Sequence, residues 1–187
     1  TPSEQEIDAG QSDAQPFAFI WDVDTTSAQA PPTLSLPGGE RHVFINEIHY
    51  DNTGTDTGEA VEIAGTAGLD VAGWSLVFYN GADGAVYRTE ALSGTFTNQS
   101  QGYGTLNFSL PTNGIQNDMD AVALVDDLGN VIEFLSYEGS FTAVGGAADG
   151  MTSIDIGVAE SGTTPVGFSL QRSGAGPTFT WQSEAAS

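Results

Sequence analysis

From position 42 onward, apolar residues recur at every second place in short runs separated by clusters of Gly, Asn, Asp and Thr. Period-two alternation is the mark of a half-buried strand. It predicts strands near 43–50 (VFINEIHY), 59–64, 73–79 (GWSLVFY), 85–91, 103–110, 120–126 (DAVALVD), 130–137 (NVIEFLSY), 166–172 and 178–182. Trp74, Leu76 and Phe78 form one face of such a run, against Ser75, Val77 and Tyr79 on the other. Tyr79-Asn80-Gly81 with Asp83-Gly84, and Asp126 through Asn130, suit hairpin connections. No stretch keeps a 3.6-residue period over three turns, and 24 glycines argue further against long helices. Many short strands at regular spacing mean a sandwich or barrel. The long connection at about 139–165 is expected to be functional, internally packed, or to hold a short strand supplied by Ile154 and Ile156.

The first 42 residues read differently. Residues 1–15 are polar and acidic and predict a disordered N-terminus. Residues 16–24 place Phe17, Phe19, Trp21 and Val23 at strict two-residue spacing, an aromatic strand face. Residues 25–42 carry Pro-Pro and Gly-Gly and read as a linker, leaving 43–182 as the sandwich and 183–187 as a tail. An isolated apolar face of this kind must cover itself. It either folds back on its own sandwich or is donated to the edge of another copy, which would give a head-to-tail filament.

The run Ile45-Asn46-Glu47-Ile48-His49-Tyr50, followed by Glu59-Ala60-Val61-Glu62-Ile63, resembles the opening of the bacterial lamin-tail domain. Leu69-Asp70-Val71-Ala72-Gly73-Trp74-Ser75-Leu76 is similar to that family's third-strand signature with its buried tryptophan. Asp120 to Val125 and Ser169-Leu170-Gln171-Arg172 fit its second half. The resemblance implies an all-β, immunoglobulin-like sandwich without a disulfide, secretion by a bacterium, and no catalytic residues to carry over. Relatives in that family often accompany extracellular nuclease or phosphatase domains, or belong to large surface proteins.

Charge narrows the partners. Asp and Glu number 25 against three arginines and no lysine, a net charge of −22. Such a chain repels nucleic-acid phosphates and anionic lipid. It suits salty or calcium-rich water, hence a marine or halophilic extracellular setting. There is no cysteine, no initiator Met, no signal peptide and no apolar run long enough to cross a bilayer. The start at Thr1 suits a processed or excised chain.

Catalytic sets are missing: no lysine for a P-loop or Schiff base, no G-x-S-x-G, no H-E-x-x-H, and only His42 and His49 as imidazoles. Gly102-Tyr103-Gly104 lies between strands and reads as a turn, not a phosphate cradle. Glu47, His49 and Asp51 share a strand face, but one imidazole is a poor zinc signal, and a solvated strand end is the expectation. The segment 51–59 gathers oxygen donors, and Asp51, Asn52, Asp56 and Glu59 are candidate ligands of a structural Ca²⁺. Asp118, Asp120, Asp126 and Asp127 form a second acidic group. Trp74 and Trp181 are expected in the core.

The expectation is therefore a non-catalytic extracellular assembly module that pairs with itself and neither binds nucleic acid nor enters a membrane. The alternatives are an accessory domain of a secreted nuclease or phosphatase and, more weakly, a carbohydrate-binding module.

Overall fold

The computed structural model describes residues 42–174 and 179–186. The aromatic segment 16–24, with Phe17, Phe19, Trp21 and Val23, lies outside the described residues. The described chain is an all-β, immunoglobulin-like sandwich without helix. Its strands are β1 (Val43–His49), β2 (Ala60–Thr66), β3 (Ser75–Asn80), β4 (Val86–Ala91), β5 (Tyr103–Ser109), β6 (Asp120–Val125), β7 (Val131–Ser136), β8 (Ile154–Asp155), β9 (Phe168–Ser173) and β10 (Thr180–Ala186). One sheet runs β10-β9-β1-β2-β5 and the other β4-β3-β6-β7-β8. All pairings are antiparallel except the short parallel contact of β8 with β7.

The main core lies between the sheets. Ile45, Ile48, Val61, Ile63 and Leu170 of the first sheet meet Leu76, Phe78, Val122, Leu124 and Leu135 of the second. Each is essentially removed from water, worth about 1.5–3 kcal/mol per side chain before entropy is counted. Trp74 is buried here as the alternation requires, whereas Trp181 is half-buried at the sheet edge. Arg172 stands 5.0 Å from the Trp181 ring and 5.4 Å from that of Phe44. Its guanidinium also donates to Glu133 Oε1 at 2.9 Å, while Glu133 Oε2 accepts from the Ile45 N–H at 2.8 Å. Glu133 belongs to β7 and Arg172 to β9, so this bridge ties one sheet to the other.

A second core covers the outer face of the β6 sheet. Val77, Tyr79, Ala121, Ala123, Val125 and Phe134 pack against Ala143 and Ala148, which belong to the long 139–165 connection. That explains why every residue of β6 is buried. The alanines at 121 and 123 keep this face shallow, and the connection closes down on it. Tyr79 Oη accepts from the Ala148 N–H at 2.9 Å. The connection is thus internally packed, and Ile154–Asp155 supplies the expected short strand.

One feature of β1 departs from plain alternation. Its pairing with β2 skips a residue between Ile45 and Glu47, a β-bulge at Asn46. In unbroken alternation Ile48 and Tyr50 would fall on the opposite face from Val43 and Ile45. The bulge returns them to the core, and so sends Glu47, His49 and Asp51 to the other side.

An acid-lined cleft backed by a buried polar network

At the end of β1 the chain leaves the sheet with four polar residues in a row of burial: His49, Asp51, Asn52 and, slightly later, Asp56. The expectation of a solvated strand end is therefore corrected. His49 keeps 6% of its surface. The cause is Glu160, brought in from the far end of the long connection and itself 3% exposed. Glu160 Oε1 lies 2.8 Å from His49 Nδ1, and its Oε2 accepts from the backbone N–H groups of Tyr50 at 2.5 Å and Asp51 at 2.8 Å. The Glu160 N–H in turn donates to Tyr50 Oη at 2.8 Å. That hydroxyl donates to Glu138 at 2.9 Å, and its ring stacks on Tyr137 at 3.9 Å between centroids. The other face of His49 is closed by Asn52 Nδ2 at 3.0 Å and Thr57 O at 3.2 Å.

The fold brings the candidate calcium ligands of 51–59 together; Asp56 and Glu59 are spent on local donors, whereas Asn52 Oδ1 has no hydrogen-bond partner. Asp56 Oδ1 accepts from the Asn52 N–H at 3.1 Å, and Oδ2 accepts from Asn117 Nδ2 at 2.9 Å. Glu59, fully buried, accepts from the N–H groups of Gly114 at 2.8 Å and Ile115 at 2.9 Å. The carboxyls of Asp51 and Asp56 are close enough to act on each other. Among the described residues no three His, Asp or Glu side chains stand together as a shared metal would need. Two carboxyls this close share a proton more readily than they both ionise. Burial and the neighbouring Asp56 push Asp51 up. Burial also opposes charge on Asp56, but its bonds from Asn117, Asn52 and Asp51 outweigh that and hold it below the usual range.

Next to this network opens a cleft of about 590 Å³, whose lining combines Asp56, Asp118 and Asp120 with neutral amides and the apolar Ala82, Ile115 and Met119. Asp120 begins β6 and is 2% exposed. Its Oδ1 accepts from the Gly81 N–H at 2.7 Å, while its Oδ2 has no hydrogen-bond partner. Burial, and then the charges of Asp118, Asp83 and Glu138, push its carboxyl up to about 6. The acids Asp126 and Asp127 are not part of this cleft. Asp126 instead closes the β6–β7 hairpin, accepting from the N–H groups of Leu128 and Asn130.

Sequence reasoning found Asp51, Asp56, Glu59, Asp118 and Asp120 as acid-rich segments but missed Glu160. Nothing near Glu160 in the chain marks it, because its partners lie 109 to 111 residues away.

The protonation pattern sets a pH response. His49 is raised, first by its bond to Glu160, so that pair's contribution is complete below about 6.5 and is lost as pH rises through the folded value. Asp51, Glu59 and Asp120 are raised chiefly by burial. The folded chain therefore holds more protons than the unfolded chain above about pH 4, and stability falls as pH rises through that window. Asp56 has the opposite sign, but its contribution is lost only below the ordinary Asp range. With each pKa unit worth about 1.4 kcal/mol, the melting temperature should be higher at pH 5 than at pH 7.5 by about 5 °C or more. A lower melting temperature at pH 5 would refute this assignment.

Comparison with family models, curated proteins and solved structures returned no match.

Proposed function

We propose that this chain is a non-catalytic assembly module of the lamin-tail kind, working in salty extracellular water, whose sandwich accepts a strand at the β5 edge. Phe17, Phe19, Trp21 and Val23 of a second copy supply that strand. The observation that carries this reading is the chemistry of β5. The sheets end in β10, β5, β4 and β8. β4 holds Arg88 and Glu90, β10 holds Glu184, and β8 is two residues long. β5 is seven residues, Tyr-Gly-Thr-Leu-Asn-Phe-Ser, with no charge in a chain of net −22. Natural edges are blunted by charge, proline or brevity, and a neutral, full-length edge is a template for pairing. The first half of β5 is already engaged, since Thr105 N–H donates to Gln99 Oε1 at 3.0 Å and Tyr103 N–H to Ser100 O at 2.9 Å. The half from 106 to 109 lies beyond that contact, with Asn107 exposed.

The test compares the full chain, a deletion of 1–24, and Asn107→Lys by sizing and electron microscopy in salt with Ca²⁺. Polymers are expected from the full chain, and folded monomers from the other two. A monodisperse monomeric full chain would overturn the proposal.

A further inference from the structure

The cleft beside β6 combines two observations that are independent of the assembly reading. The first is an unbalanced negative lining. Asp56, Asp118 and Asp120 face a space whose other polar walls are the neutral amides of Asn80, Asn113, Gln116 and Asn117, and none of its lining residues is cationic. The second is the state of Asp120. This side chain is 2% exposed, one oxygen is held by the Gly81 N–H, and the other has no partner. A buried carboxylate oxygen without a donor costs about 1–3 kcal/mol or more. The charges that act on it from Asp118, Asp83 and Glu138 are all negative.

What such a site takes is a hard cation. An isolated hydroxyl or water would satisfy one lone pair but would leave the collected charge in place. A divalent ion neutralises it, and carboxylate and amide oxygens without sulfur or imidazole ligands match Ca²⁺, which accepts six to eight oxygens in flexible geometry and completes its shell with water. Mg²⁺ demands a stricter octahedron and holds its own water more tightly. We infer that the cleft at the start of β6 binds one Ca²⁺, with Asp120 and Asp118 as its carboxylate ligands. The ion sits where the β3–β4 turn meets β6, and it fastens these two segments. Its carboxylate ligands differ from those of the 51–59 segment, where Asp56 and Glu59 already cap N–H groups.

The experiment is calorimetric titration of the full chain with CaCl₂ after chelation, together with melting curves at matched ionic strength. Wild type is expected to bind one ion with an affinity on the order of millimolar or tighter, and to melt higher in Ca²⁺ than in ionically matched NaCl. Asp120→Asn keeps an oxygen for the Gly81 N–H and should abolish both signals while retaining the β-sheet circular dichroism of the wild type. Asp118→Asn, which leaves the Gly81 bond intact, should weaken binding at least tenfold and guards against misfolding of the first variant. Asp51→Asn should bind as wild type does. The inference is overturned by absence of Ca²⁺ heat and of any melting difference in wild type. It is equally overturned if binding survives in both cleft variants, or disappears only in Asp51→Asn, which would place the ion in the 51–59 segment.

Discussion

Glu160→Ala should destabilise the fold by about 3–5 kcal/mol and lower its melting temperature by roughly 10 °C. Glu160 is buried, and its two oxygens serve His49, the Tyr50 N–H and the Asp51 N–H at 2.5 to 2.8 Å. Truncation leaves an imidazole and two backbone donors in a space closed to water. Each orphaned donor costs about 1–3 kcal/mol, whereas a new methyl group in their midst returns little. Glu160→Gln should fall between wild type and alanine, because one carbonyl oxygen remains but the charge opposite His49 is gone. Hydrogen exchange adds a local readout, since the Tyr50 and Asp51 amides should lose protection in the alanine variant. If Glu160→Ala melts within a degree or two of wild type, the network is not what closes this end of the sandwich.

Gly81→Ala should be as damaging by a different route. A Cβ at this position would lie 1.6 Å from the Met119 carbonyl oxygen and 2.8 Å from its carbon. Those are backbone atoms directly before β6, and they cannot swing aside as a side chain could. The β3–β4 turn would have to lift away from β6. That would stretch the Gly81 N–H bond to Asp120, which is 2.7 Å long, and leave both Asp120 oxygens without a donor. Overpacking alone costs about 1–3 kcal/mol, and the lost bond adds to it, for an expected loss of about 3 kcal/mol or more. Gly162→Ala is the control, because a Cβ there meets nothing within 4 Å and the backbone is not left-handed. Chemical denaturation of both variants decides the matter. Equal midpoints for Gly81→Ala and Gly162→Ala would contradict the close approach.

The strands were legible because they alternate, and alternation reports a physical asymmetry between a wet and a dry face. Trp74, Leu76 and Phe78 point into the main core as their spacing requires. The same logic could not say that the opposite face, Val77 and Tyr79, would be dry as well. That depended on Ala143 and Ala148 arriving from a glycine-rich connection with no pattern of its own. The bulge at Asn46 was hidden for a related reason, since one extra residue is visible only against the partner strand. At the candidate site, acid-rich turns were readable as composition. Which carboxylates cap N–H groups and which retain a free oxygen was not, because both arrangements use the same residues. Glu59 and Asp120 differ only in what the fold lays beside them: two backbone donors in one case and a single donor in the other.

The long connection also bears on the order in which the molecule assembles. The β3–β4 and β6–β7 hairpins join neighbours in sequence and can form early. The bonds from Glu160 to the end of β1 span 109 to 111 residues, and closing so large a loop is entropically unfavourable until both sheets exist. Seating Glu160 is therefore expected among the last events on the folding pathway. Until Ala143 and Ala148 of the same connection dock as well, the outer face of β6 and its neighbours is uncovered, and a half-finished molecule presents apolar sheet to others of its kind. A chain with strong net negative charge resists such collisions through mutual repulsion. The acidity that shapes the mature surface thus acts during maturation as a built-in chaperone, and its protection weakens as salt screens it.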